Sequence, residues 1–205
     1  LAIEWVPQRS WLYRRTFVAD PALAGQRVEL CFEGVDYEAE FFLNGESLGR
    51  HASMFTRACF EVTDRLRYGE NNHLVVAIEP APQEVPQVGR TSRVRTLKAR
   101  MTYGWDFCPR MVHLGIWDDV CLRITGPARL ADVWVRPELS PSLDRATVHV
   151  AVEVDVNTAG EYEIDAAISP EGVDAGDRQA QTVHIDPGRS TVHFTFDIAD
   201  PALWW

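Results

Sequence analysis

Three aromatics, an acid and turn-forming Gly and Pro fall together in Met101-Thr102-Tyr103-Gly104-Trp105-Asp106-Phe107-Cys108-Pro109-Arg110, the most chemically informative stretch of the 205-residue chain. Sugars are held through C–H faces stacked on aromatic rings and hydroxyls bonded to carboxylates, so Trp105 beside Asp106 is suited to hold one ring. On residue chemistry alone the pair reads equally well as a core aromatic next to a turn aspartate. Trp117, in Gly115-Ile116-Trp117, reads as a core residue. Arg90, Arg93, Arg95, Lys98, Arg100 and Arg110 concentrate cationic charge around the same region. They fit either an anion site or ion pairs with acidic groups of this chain or a neighbouring domain. Their place in one irregular segment favours pairing.

Hydrolysis of a glycosidic bond needs two carboxylates flanking that bond, one acting as acid and the other as nucleophile or base. The chain has 30 Asp and Glu residues, but nearly all fall on the polar side of alternating strands and read as solvated surface. A raised carboxyl pKa requires burial that such positions lack, so no catalytic residue is assigned. The six histidines (His51, His73, His113, His149, His184, His193) show neither H-x-H nor i, i+4 pairing, so no metal ligand set is expected. Nucleophile-elbow, P-loop and dinucleotide-cradle patterns are missing, and no cofactor is expected.

Strands must position these residues. Val148, Val150, Val152, Val154 and Val156 interleave with polar neighbours, as do Tyr162, Ile164, Ala166 and Ile168, and again Val192, Phe194, Phe196 and Ile198. Period two over such runs predicts half-buried strands of an antiparallel sandwich. Val28, Leu30 and Phe32 alternate in the same way with Arg27, Glu29 and Glu33. Phe41-Phe42-Leu43 runs into Asn44-Gly45, the pair that a type I′ hairpin turn demands. Leu74 to Ile78 is a continuous apolar run that predicts a strand covered on both faces. From Ala81 to Met101 the alternation stops, and Pro82, Pro86 and Gly89 punctuate a loop long enough to be functional or disordered. Strand-like sequence resumes at Ile116 to Ile124 and ends at Gly126-Pro127. The reading is therefore all-β, with two domains at 1–127 and 128–205.

Composition narrows the partners. A formal net charge of -10 argues against nucleic acid, and no apolar run is long enough for a spanning helix, so no membrane partner is expected. Cys31, Cys59, Cys108 and Cys121 are widely spread without C-x-x-C spacing and read as reduced, buried thiols. Leu1 to Trp5 lack the features of a secretory leader, giving a cytoplasmic expectation, while the missing initiator Met argues that something upstream was removed.

Lys98, Tyr103, Gly104, Trp105, Asp106, Phe107, Pro109, Arg110, Gly115, Ile116 and Trp117 stand in the order and approximate spacing of a motif in glycoside hydrolase family 2. Within that family the sequence resembles the β-mannosidase branch. Trp11 to Phe17, Phe42-Leu43-Asn44-Gly45 and Leu48-Gly49 look like its early strands, and Pro201, Leu203, Trp204 and Trp205 like its immunoglobulin-like domain. Cys108 and Asp118 depart from the pattern, standing where relatives often have Gly and a basic residue. The resemblance implies a jelly-roll, galactose-binding-like β-sandwich followed by an immunoglobulin-like β-sandwich whose last strands lie beyond Trp205. Both would precede a (β/α)8 barrel, absent from this chain, that carries two catalytic glutamates. By the same likeness Trp105 and Asp106 reach into the barrel's pocket and contact a terminal β-mannoside or related sugar, in a retaining exo-glycosidase of carbohydrate metabolism. A stand-alone carbohydrate-binding module and a structural immunoglobulin-like spacer are the competing readings.

Overall fold

The computed structural model describes residues 3–84, 94–169 and 176–203. Arg90 and Arg93, the terminal Trp204 and Trp205, and Pro86 and Gly89 of the long loop lie outside those residues. The chain divides into two compact units, Leu1–Ile124 and Thr125–Trp205. Both are built from β-strands, as the alternation predicts.

In the first unit, β1 (Trp11–Val18), β7 (Asn71–Ile78), β4 (Glu38–Leu43) and β5 (Glu46–Ala52) form one antiparallel sheet in the order β1-β7-β4-β5. A second sheet runs β6 (Ala58–Glu61), β2 (Arg27–Phe32), β9 (Val120–Thr125), and a short ladder joins β3 (Val35–Asp36) to β8 (Gly115–Ile116). Val28, Leu30 and Phe32 of β2 meet Ala39, Phe41 and Leu43 of β4 and Leu74, Val76 and Ile78 of β7 in one core. Phe41 is its hub, with ring centroids 4.6 Å from Phe32 and 4.9 Å from Phe60. Leu43 pairs with Glu46 across Asn44-Gly45, whose φ values of 54° and 92° are the two positive angles expected of the hairpin.

Two strands differ from their sequence reading. β7 is not covered on both faces: Leu74, Val76 and Ile78 are buried while Val75 and Ala77 are half-buried, because only one side of its sheet meets the core. β2 departs in the opposite sense, being buried at every position, including Arg27 and Glu29. Its polar side is closed by ion pairs, Arg27 Nη2 to Glu61 Oε2 at 3.1 Å and Arg123 Nε to Glu29 Oε2 at 3.1 Å. The predicted strand over Ile116 to Ile124 is broken into β8 and β9 by Trp117–Asp119.

The second unit pairs β10 (Ala128–Leu139), β11 (Arg145–Val156) and β14 (Gly188–Ala199) in one sheet and β12 (Gly160–Ile168) with β13 (Asp177–Ile185) in the other. Val148, Val152, Val154, Val156, Val192, Phe194 and Phe196 close against Ile164 and Ile185. The period-two runs read from the sequence thus become the inward faces of β11, β12 and β14.

Replacing Phe41 by Ala should cost about 3–5 kcal/mol, the usual penalty for emptying an enclosed aromatic site, whereas Leu12→Ala should stay within about 0.5 kcal/mol. Leu12 is 74% exposed on β1. Urea unfolding followed by tryptophan fluorescence measures both, and equal losses in the two variants would contradict the two-sheet core.

Candidate functional site

The aromatic segment is held at its base by one carboxylate. Asp36 sits on β3, paired with Gly115 of β8, and is 1% exposed. The Lys98 ammonium, also buried, donates to Asp36 Oδ2, and a second hydrogen bond runs from Lys98 Nζ to the His113 carbonyl oxygen at 2.7 Å. His113 Nδ1 lies 2.7 Å from the same Asp36 oxygen. Residues 98 and 113 are thereby tied together, and residues 99–112 form an excursion that leaves and returns at one point. Burial pulls the Lys98 ammonium below the usual lysine range, against the opposing hydrogen bond and charge of Asp36.

Inside the excursion Tyr103 turns inward. It ends a short 3₁₀ turn, Met101–Tyr103, is 3% exposed, and donates its hydroxyl to the Pro82 carbonyl oxygen at 2.7 Å. The Arg100 and Arg110 guanidinium carbons each lie 5.6 Å from the centre of its ring. Burial pushes the Tyr103 hydroxyl up to about 12. Gly104 follows at φ 127°, ψ 132°, a conformation that a side chain resists, and lets the chain reverse outward. The Cys108 amide then closes on the Trp105 carbonyl at 2.5 Å, making a tight turn with Asp106 at φ 29°.

That turn presents the sequence-predicted pair at the surface. Trp105 is 39% exposed and Phe107 87%, and Asp106 is also exposed. Among the described residues no hydrogen bond or ion pair engages the Asp106 carboxylate. The structure therefore brings Trp105 and Asp106 together on the turn of a tethered loop, with part of the indole and the carboxylate exposed. Also among the described residues, no three His, Cys, Asp or Glu side chains gather as metal ligands do.

The cationic cluster resolves largely into ion pairs. Lys98 meets Asp36, Arg100 Nη2 lies 3.2 Å from Glu84 Oε1, and Arg110 Nε lies 3.6 Å from Glu4 Oε2. Burial raises the Glu84 carboxyl, but the Thr96 hydroxyl, Arg100 and the Arg95 amide outweigh it and hold the group below the usual range. Acidic residues are consequently less uniformly solvated than their strand positions imply. Asp36, Glu29 and Asp155 are buried and Glu84 is half-buried, each facing a cation that sequence spacing does not reveal.

Two further sequence expectations are corrected. Trp117 is not enclosed: it is 51% exposed, lies flat against Gly34, where any side chain would overlap the indole, and donates Nε1 to the Met54 carbonyl at 3.2 Å. The four thiols are free, but only Cys31 is buried, while Cys108 and Cys121 are exposed because each falls on an outward position of a loop or edge strand.

Comparison with known proteins agrees with this architecture. The sequence pattern described as "Glycosyl hydrolase 2 galactose-binding domain-like" matches residues 1–118, and that described as "Glycosyl hydrolases family 2" matches residues 128–205. The chain is 31% identical over 220 residues to a protein of Thermothelomyces thermophilus named Beta-mannosidase B, and 26% identical over 219 residues to one of the same name from Emericella nidulans. Each alignment covers 100% of this chain and 25% of the relative, so the chain spans about a quarter of the curated relatives it matches. The solved Beta-D-Mannosidase of Dictyoglomus thermophilum superposes on 100% of the chain and 26% of its own length, with a TM-score of 0.78 and 25% identity. A beta-glucuronidase of Bacteroides uniformis shares the fold at a TM-score of 0.74 and 19% identity, over 96% of this chain and 23% of its own.

Lys98→Met leaves Asp36 without its ammonium and should cost about 3–5 kcal/mol in urea or thermal unfolding, while the double variant Lys98→Met/Asp36→Leu should recover most of that loss. Strict additivity of the two single changes would show that the pair is not coupled. Tyr103 gives a pH signature. A hydroxyl raised to about 12 contributes stability that is present below the ordinary tyrosine range and is lost as pH climbs through that range toward about 12. Burial also raises Tyr68, so the comparison is between chains. Tyr103→Phe should shallow the alkaline fall in stability and remove the latest step of the absorbance titration, and an unchanged titration would contradict the burial.

Proposed function

This chain belongs to glycoside hydrolase family 2, and we propose that it is the non-catalytic N-terminal portion of a retaining exo-glycosidase that cleaves terminal β-mannosides. The carrying observation is the loop tip, where the unpartnered Asp106 carboxylate stands beside the exposed Trp105. The face of an indole covers the C–H face of a pyranose ring and a carboxylate accepts from its hydroxyls, which fixes one sugar in one orientation.

The division of labour follows from the chemistry. Cleavage with retention requires two carboxyl groups about 5 Å apart, one protonated and one ionised, held rigidly about the scissile bond. Asp36, Glu29 and Glu84 are each engaged in an ion pair, with Lys98, Arg123 and Arg100, and Asp106 lies on a surface turn. In this reading the nucleophile and the acid come from a (β/α)8 barrel elsewhere in the same polypeptide. Trp105 and Asp106 complete that pocket from outside and grip the terminal sugar without touching the bond that breaks.

In the full-length protein, Asp106→Ala should lower kcat/KM on an aryl β-mannoside by roughly 10- to 150-fold, the worth of a charged hydrogen bond of about 1.5–3 kcal/mol, and Trp105→Ala by roughly 2- to 12-fold, the worth of an aromatic contact of about 0.5–1.5 kcal/mol. Calorimetry of the 205-residue chain with mannose should give weak or undetectable binding. Tight binding there would favour a stand-alone module, and unchanged kinetics in both variants would remove the loop from the site. A panel of chromogenic glycosides tests the sugar separately: preference for a galactoside or glucuronide would overturn the mannoside assignment and leave the role of the loop standing.

A further inference from the structure

Away from the aromatic loop, the sheet β6-β2-β9 carries a second chemical group. Cys31 of β2 and Cys59 of β6 are directly opposed in the antiparallel ladder. The Val62 amide donates to the Val28 carbonyl at 2.9 Å, so the 28/62 pair is hydrogen-bonded. Such pairs alternate with non-hydrogen-bonded ones, which places 31/59 in the closer class, with Cα atoms about 4.5 Å apart. A disulfide requires Cα atoms roughly 4.4–6.8 Å apart.

Their surroundings differ in a way that orders a reaction. Cys59 is half-buried, and the Arg123 guanidinium donates from Nη2 to its sulfur at 3.5 Å. Glu29 shares that guanidinium. Cys31 is 1% exposed, and burial, reinforced by the adjacent Cys59 thiol, pushes it up to about 12. One thiol is reachable; the other is withheld beside it.

We propose that Cys31 and Cys59 are a reversible dithiol–disulfide pair, oxidised by exchange with a low-molecular-weight disulfide such as oxidised glutathione. The Cys59 thiolate attacks one sulfur of the small disulfide, whose S–S bond breaks and releases one thiolate, which takes up a proton. Cys31 then gives up its proton and its sulfur attacks Cys59, breaking the mixed disulfide and releasing the second small thiol. In sum, two protein thiols and one small disulfide become one protein disulfide and two small thiols. Two electrons pass to the small molecule. Forming the mixed disulfide also removes the neighbouring thiol that helps to hold Cys31 protonated.

The test treats the native protein with oxidised glutathione at mildly alkaline pH, quenches in acid, alkylates the remaining thiols under denaturing conditions and maps the peptides by mass spectrometry. A Cys31–Cys59 linked peptide should appear alongside any glutathione carried by the exposed Cys108 and Cys121, and dithiothreitol should restore all four thiols. Cys59→Ser should prevent any oxidation of Cys31, whereas Cys31→Ala should trap glutathione on Cys59. Modification confined to the exposed Cys108 and Cys121, or a link from Cys31 to either of them, would overturn the proposal.

Discussion

Everything on the proposed binding face is referred back to the Asp36 carboxylate. Three segments distant in sequence converge on it: β3, which bears it, the loop residue Lys98, and the approach to β8 at His113. A buried ion pair is weak evidence for net stability, because desolvating two charges costs about as much as their attraction returns. What it supplies is register. A methyl-for-methyl hydrophobic contact would let the excursion slide by a residue, whereas an ammonium must meet its carboxylate and its carbonyl together. The loop carrying Trp105 and Asp106 is therefore located by an interaction whose removal leaves a stranded charge.

Within that excursion the inward and outward residues divide the work. Tyr103 is buried beside two guanidinium groups and anchored to Pro82, while its neighbours two and three positions on are exposed. Gly104 makes the reversal possible, and the Trp105–Cys108 turn fixes the tip. A carboxylate and an indole left open to solvent would bind little if they were mobile, since ordering them would consume the binding free energy. Anchoring the loop through Tyr103 and Lys98 moves that cost into folding.

How much of this was legible in the sequence depends on whether a feature is local. Asn44-Gly45 specified its hairpin because the turn needs only its own two residues. The valine and phenylalanine alternation of β11 and β14 specified their inward faces because pleating is local too. The Trp105–Asp106 pair was visible as chemistry, although composition alone left a core aromatic equally open. Burial of charge was illegible: Asp36 and Lys98 are separated by 62 positions and Glu29 and Arg123 by 94, so nothing near either acid announces its partner. The same blindness misplaced Trp117, whose aromatic character says core while its neighbours leave one side of the ring open.

The buried acids also bear on why the proposed function divides the chemistry between domains. A general acid at neutral pH needs a carboxyl group held protonated by burial without a countercharge. The sandwich buries carboxylates only by giving them cations, and Glu84 shows the consequence: burial alone would raise it, yet Thr96, Arg100 and the Arg95 amide bring it below the usual range. The two-sheet core, filled by Phe32, Phe41 and their apolar neighbours, opens into a cleft of about 400 Å³ whose lining, among the described residues, includes no acid. It can project a rigid loop from one end. Binding by a sandwich and bond cleavage by a scaffold with a wider mouth is the arrangement these constraints favour.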